Sequence, residues 1–285
     1  MKNKQDWLEI KIYLNPENLE WLSPYLFALG SEGIFEREND FFVYFKTGEW
    51  NQEKFYLLKQ YLAESSPEHG ETNIETLDLP DEDWNEAWKE SFKTFHLGEN
   101  IVVKPDWDSY SPNPGETVIT IAPKMAFGTG HHETTQLILM MLEKYLRADQ
   151  SLLDAGTGSG ILAIYGAMLG ANPVVAFDND HVATENTLEN AGLNGVSEKI
   201  TCFTGELIDA GKDRFDMIVA NINRNVLLDL ASGFFGFLKP GGKLILSGLL
   251  IVDEDVIMDA YRKNGWTMIH KEQRKEWMAL VLDRK

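Results

Sequence analysis

The sequence predicts an α/β protein of two parts, a small N-terminal α+β sandwich and a larger doubly wound sheet. Three observations carry this. The chain has 285 residues, about twice the roughly 150 that one domain usually takes. Its first 79 residues give the order β-α-β-β-α-β, which is that of a split, ferredoxin-like sandwich. From Ser151 onward, strands and helices alternate regularly, as in a parallel sheet covered by helices. Hydrophobic residues make up 44% and charged ones 25%, the balance of a globular chain with a large core.

The front elements follow from local pattern. Trp7 to Leu14 (WLEIKIYL) puts Leu8, Ile10, Ile12 and Leu14 on one face and Glu9, Lys11 and Tyr13 on the other. That is period two, a strand with one wet face. Asn15-Pro16 then offers an N-cap and a first-turn proline. A helix is expected to about Leu29, kinked or interrupted at Pro24. Ile34 to Arg37 and Phe41 to Lys46 read as a hairpin turning at Asn39-Asp40. Asn51 to Glu64 spaces Phe55, Leu58 and Leu62 as a helix does, and Asn73 to Leu79 is a short strand. We therefore expect a front domain over 1–79 and a linker helix over 80–95. Asp81 to Phe92 sets Trp84, Trp88 and Phe92 four apart, an aromatic stripe suited to packing on a neighbouring domain.

A catalytic domain is expected over 96–285. Ile101 to Val103 and Thr117 to Ile121 are short lead-in strands around a loop rich in Pro and Gly. Ser151 to Asp154, Pro173 to Phe177, Lys199 to Thr204, Phe215 to Ala220 and Lys243 to Ser247 read as strands. Gly160 to Gly170, His181 to Asn194, Asn225 to Leu238 and Asp253 to Lys263 read as the helices between and after them. Trp266 to Lys271 and Trp277 to Asp283 close the chain as a hairpin.

Charge narrows the function. There are 26 basic and 45 acidic residues, a net charge of −19. A broad nucleic-acid footprint needs a basic face, so direct nucleic-acid binding is not expected. Residues 1–90 alone hold 8 basic and 20 acidic side chains. Such a module either steers a basic partner or simply keeps the chain soluble. Cys202 is the one cysteine, which excludes an intrachain disulfide and a multi-cysteine zinc site. The opening MKNKQDWL has no apolar signal core, and no apolar run approaches the roughly 20 residues of a membrane span. A cytoplasmic location is expected, and a monomer, since no apolar stripe is left unassigned.

The strongest chemical signal is Leu152 to Gly160, L-L-D-A-G-T-G-S-G. A strand enters a glycine-rich turn that opens a helix. Gly156, Gly158 and Gly160 let backbone approach a ligand closely. The next strand ends at Asp178, placed to accept both hydroxyls of a ribose. An adenosine-like ligand follows. A dinucleotide fingerprint would be G-x-G-x-x-G, with pyrophosphate on the helix N-terminus. Here the spacing is G-x-G-x-G, and Ile161 stands where the third glycine would be. Asp154 is read as facing a ligand's amino group and as capping the helix, two roles that are compatible. His131-His132-Glu133 invites a metal, but adjacent loop histidines diverge and no third ligand stands at fitting spacing, so no metal is expected.

The tight glycine spacing resembles motif one of class I methyltransferases, which bind S-adenosylmethionine. Three more stretches narrow the resemblance: Met125 to Thr135 (M-A-F-G-T-G-H-H-E-T-T), Ala220 to Asn223 (A-N-I-N), and Trp84 to Trp88 (W-N-E-A-W) with Val103-Lys104-Pro105. Together they resemble the bacterial methyltransferases of the eleventh protein of the large ribosomal subunit, over essentially the whole chain. The resemblance implies a Rossmann-like class I methyltransferase domain behind a substrate-recognition domain. It implies S-adenosylmethionine as cofactor, held at Thr135, Gly156, Asp178 and Asn221, with Phe127, Gly128 and Gly158 beside it. It implies methyl transfer to lysine side chains and the N-terminal amine of a basic ribosomal protein, with Asn221 orienting the amine. The competing expectation is a nicotinamide-dependent oxidoreductase, against which Ile161 speaks.

Overall fold

The computed structural model describes residues 7–14, 19–36, 41–46, 50–65, 74–79, 92–123 and 130–284. The chain forms two compact units, Met1–Lys89 and Glu90–Lys285.

The first unit runs β1 (Trp7–Ile12), α1 (Leu19–Ala28), β2 (Gly33–Glu36), β3 (Phe41–Lys46), α2 (Gln52–Ser65) and β4 (Ile74–Leu79). Its sheet has the order β2-β3-β1-β4, and every pairing is antiparallel. This is the ferredoxin-like arrangement that the element order implies. Alternation along β1 and β3 turns Leu8, Ile10, Ile12, Phe41, Val43 and Phe45 into one core with Leu22, Leu26, Leu58 and Leu62 of the helices. Pro24 does not interrupt α1, which runs through it as one helix. The strand expected to Leu14 stops at Ile12. The turn at Asn39-Asp40 and residues 80–91 of the expected linker helix lie outside the described residues. The last part of that helix is a correction: Phe92 is a bend and Phe95 opens a strand instead. Phe95 joins a ladder opposite Val103, which competes with continued helix.

The second unit opens with β5 (Phe95–Leu97), β6 (Ile101–Pro105) and β7 (Thr117–Ile121), a small sheet of that order. Then come α3 (Glu133–Tyr145), β8 (Leu152–Ala155), α4 (Ile161–Met168), β9 (Val174–Asp178), α5 (His181–Leu193) and β10 (Ile200–Thr204). They are followed by β11 (Phe215–Asn221), α6 (Arg224–Phe237), β12 (Leu238–Leu250), α7 (Glu254–Lys263), β13 (Trp266–Arg274) and β14 (Trp277–Arg284). Seven of these strands make one sheet in the order β10-β9-β8-β11-β12-β14-β13. The first five pair in parallel. The terminal hairpin adds β14 antiparallel against β12, with β13 outside it.

Both faces of this sheet are covered, so strand β8 has no solvent-facing side. All four residues of β8 are buried. Leu152 faces a core built with α3, α4 and the small sheet. Leu153 faces the opposite core, built with Leu227, Ala231 and Phe234 of α6 and Ile257, Met258 and Tyr261 of α7. Helix α3 is an element that the sequence pattern did not predict. Strand β12 also begins earlier than expected: Leu238 already pairs with Phe215, and the register shifts between Phe215 and Met217. That irregularity absorbs Lys239-Pro240-Gly241-Gly242 within the strand.

Candidate active site at the strand ends

Parallel registers assemble the site. Ala155 of β8 stands opposite Phe177 of β9 on one side and opposite Ala220 of β11 on the other. Gly156 follows in the turn just past β8, and Asp178 and Asn221 are the last residues of β9 and β11. Three residues far apart in sequence thus meet at the carboxyl ends of adjacent strands. The chain leaves β8 to one side for β9 and β10, then returns to the other side for β11. This makes β8 and β11 the topological switch point, where open α/β sheets bind ligands.

The glycine turn is held from behind. Gly156 N–H and Thr157 N–H donate to the Phe177 carbonyl at 2.9 and 3.0 Å. Gly158 N–H donates to Asp178 Oδ2 at 3.0 Å, and Asp180 N–H donates to Asp178 Oδ1 at 3.1 Å. Two residues of α5 that the sequence did not single out tie down the turn's carbonyls. Thr187 Oγ1 donates to Gly158 O at 3.0 Å, and Asn190 Nδ2 donates to Ser159 O at 2.8 Å. The Asn190 Oδ1 accepts Ala122 N–H at 2.8 Å. Gly156 has φ +74°, and a Cβ there would sit 2.3 Å from Ile222 Cγ2. Only glycine fits, because the segment after β11 packs directly on the turn.

Thr135, in the first turn of α3, is almost completely buried. Its Oγ1 accepts the Asn221 Nδ2–H at 3.1 Å. That bond sets the amide's orientation, leaving Asn221 Oδ1 as its acceptor end. So Thr135 meets Asn221, Gly158 meets Asp178, and Gly156 meets the residue after Asn221. Phe127 and Gly128 lie outside the described residues.

Asp154 is fully buried and holds the capping place expected of it at the start of α4. Its Oδ2 accepts Thr157 Oγ1–H at 2.7 Å and Ala163 N–H at 3.2 Å, so it ties the turn to the first turn of α4. Its Oδ1 is buried without a partner. Burial pushes its pKa up to about 7, and the nearby Asp178 charge adds to this, against the hydrogen bonds from Thr157 and Ala163.

The two adjacent histidines diverge. His132 caps α3, its Nδ1 accepting Thr134 N–H at 3.3 Å. His131 Nε2 lies 3.2 Å from the Lys93 carbonyl, and its ring packs on Phe95 at 4.5 Å. Among the described residues, no group of three or more His, Cys, Asp or Glu is placed to hold a metal. Cys202 is partly buried in β10, and burial pushes its thiol up to about 11. It is a poor nucleophile there.

The donor set fits a nucleoside without phosphates. No Lys or Arg among the described residues pairs with Asp178, and beside the amides of Gly158 and Asp180 its two oxygens keep lone pairs for neutral hydroxyl donors. The glycine turn itself carries no basic side chain. Ile161 is buried against the loop: a Cβ on Gly130 would lie 2.9 Å from its Cδ1. The sheet order, the glycine turn and the strand-end acid define a Rossmann-like methyltransferase domain of class I.

Comparison with known proteins narrows this class. Residues 6–285 match the family model described as Ribosomal protein L11 methyltransferase (PrmA). A protein of that name from Alkaliphilus oremlandii is 35% identical over 305 residues, covering 96% of this chain and 97% of its own. Another, from Ruminiclostridium cellulolyticum, is 43% identical over 206 residues, covering 72% of this chain and 65% of its own. The crystal structure of ribosomal protein L11 methylase from Lactobacillus delbrueckii subsp. bulgaricus superposes with a TM-score of 0.65 at 33% identity, covering 68% of this chain and 100% of that one. The chain belongs to the ribosomal protein L11 methyltransferase family. A nicotinamide-dependent oxidoreductase finds no support in these matches. No helix among the described residues is long and apolar enough to cross a membrane.

Proposed function

We propose that this chain transfers methyl groups from S-adenosylmethionine to amines of ribosomal protein L11, at lysine side chains and the N-terminus. The observation that carries the reading is the meeting of Asp178, Asn221 and the turn at Gly156 at the carboxyl ends of three parallel strands, set by the pairing of Ala155 with Phe177 and with Ala220, in a chain of this family. When bound, S-adenosylmethionine supplies an already activated methyl group.

The chain's own residues bind, orient and select. Asp178 accepts the ribose hydroxyls beside the Gly158 amide. Gly156 admits the ligand to the turn without a side chain in the way. Asn221 presents its Oδ1 to the amine, because Thr135 holds the other end of the amide. An oxygen acceptor suits an amine's N–H groups. A free lysine has a pKa near 10.4 and is mostly charged at neutral pH; desolvation in the crevice favours its neutral, reactive form. Holding the two reactants in line accounts for roughly 7–11 kcal/mol of a barrier of this kind.

The acidic N-terminal segment supports a basic protein as partner, through charge complementarity. The test is mass spectrometry of purified L11 after incubation with this chain and S-adenosylmethionine. Mass steps of one methyl are expected, at lysines or the N-terminal amine. Unmodified L11, with the chain folded and the donor bound, would refute the reading.

A further inference from the structure

Ile222 follows Asn221 and lies in none of the regular elements. It lies between two glycines. A Cβ added to Gly156 would stand 2.3 Å from the Ile222 Cγ2. On its other side, a Cβ on Gly248 of β12 would lie 2.3 Å from the Ile222 carbonyl oxygen, 2.9 Å from its carbonyl carbon and 3.1 Å from its nitrogen. Gly248 has φ +81°. Two glycines thus leave room for one residue, one beside its side chain and one beside its backbone.

The segment is fixed beyond that point as well. Asn223 Oδ1 caps α6 by accepting Val226 N–H at 3.2 Å. Arg224 Nη1 donates to Asp253 Oδ1 at 2.9 Å, and Asp253 is buried. Asn221 is held through Thr135. With its neighbours fixed, Ile222 separates the turn at Gly156 from the residue that receives the amine.

We propose that Ile222 is a positioning residue that sets the distance between the donor side and the acceptor side of the site. This rests on the reading of Asn221 as the acceptor's partner. The atom that faces Gly156 is Cγ2, which a β-branched side chain holds rigidly against its own backbone. Branching at Cβ, rather than volume, is therefore what the position requires. Valine keeps Cγ2; leucine matches the volume of isoleucine but lacks the branch; alanine lacks both.

The experiment compares Ile222→Val, Ile222→Leu and Ile222→Ala in the full chain. Donor affinity is measured by calorimetry with S-adenosylmethionine alone, folding by thermal unfolding, and kcat and KM with purified L11. A misplacement of about 1 Å costs on the order of a hundredfold in rate. Ile222→Val should keep kcat within about threefold, while Ile222→Leu and Ile222→Ala lose roughly ten- to a hundredfold. Donor affinity and KM for L11 should stay within about twofold in all three. Equal rates for the leucine and valine variants would overturn the spacer role. So would a loss of rate that tracks a loss of donor affinity, since Ile222 would then be a wall of the donor pocket. If the alanine variant does not fold, the valine–leucine pair decides alone. Failure of the unsubstituted chain to methylate L11 is a different result: it removes the acceptor reading, and the spacer with it.

Discussion

Asp154→Asn separates the electrostatics of the glycine turn from its shape. Burial holds the Asp154 pKa at about 7, against an ordinary 3.8. The unfolded chain therefore sheds this proton near pH 4, while the folded chain keeps it until about pH 7. Between the two, the unfolded state binds fewer protons, so stability falls as pH rises. The full difference is worth about 4 kcal/mol above pH 7. Asparagine keeps an oxygen for Thr157 and Ala163, and places its amide nitrogen where Oδ1 now lacks a partner. That buried nitrogen costs about 1–3 kcal/mol at every pH. The variant should thus be the less stable protein at pH 4.5 and the more stable at pH 8. Relative to the unsubstituted chain, its stability should rise by about 3 kcal/mol across that interval. For a unit of this size the change is roughly 6–12 °C in Tm, readable by thermal unfolding from pH 4.5 to 8. Parallel Tm curves for the two proteins would refute the argument, because they would mean that Asp154 titrates alike in both states.

Three further perturbations have defined outcomes. Asp178→Ala should weaken S-adenosylmethionine binding by about 1–3 kcal/mol, measured by calorimetry; unchanged affinity would count against Asp178 as the ribose partner. Thr135→Val removes the acceptor for Asn221 Nδ2 and should lower methyl transfer to L11 by roughly five- to a hundredfold, about the loss of one buried partner, while Thr135→Ser restores most of it. At the other end of the sheet, burial raises the Asp216 pKa, but hydrogen bonds from Lys239 at 2.7 Å and from Ser151 outweigh this and leave it lowered. Its contribution is present above about pH 4 and lost as pH falls through the lowered value. Asp216→Asn should therefore cost about 1 kcal/mol at neutral pH and flatten the acid limb of the Tm curve.

Much of the fold is legible because its patterns are local. The strands of the first unit alternate cleanly, and β8 reads as a short buried run before glycines. Helix α3 is illegible for a physical reason. Leu137 to Leu142 (LILMML) is apolar throughout, and five of the six are buried. The outer side of the helix carries Glu133 and Gln136 before this run and Glu143 and Lys144 after it, so within the run itself no polar residue marks the 3.6-residue period. Helix α5 poses the reverse problem. Thr187 and Asn190 look like surface polarity in sequence, yet both are buried and hold the glycine turn. Glycines 156 and 158 and Asp178 carry their own motif. The link between Thr135 and Asn221, 86 positions apart, exists only through the folding of α3 against the sheet.

The registers explain why the site can be built from such short side chains. Thr135, Asp178 and Asn221 each have at most two side-chain torsions, and Gly156 has none, so none can search for a partner by extending. Their placement must come from the backbone. Parallel pairing supplies it: a slip of one residue in β9 or β11 would shift its site residue by about 3.3 Å and turn the side chain to the other face. Such a slip is opposed by both cores at once, because β8 buries Leu152 on one side and Leu153 on the other. The lysine of a protein substrate is the opposite kind of side chain, long and freely rotating. A rigid set of short groups and a long, mobile amine are complementary: the enzyme fixes the position, and the substrate supplies the reach. An acceptor shortened by one or two methylenes at the target lysine should therefore lose kcat far more than affinity, and equal losses in both would show that the set itself moves to meet its substrate.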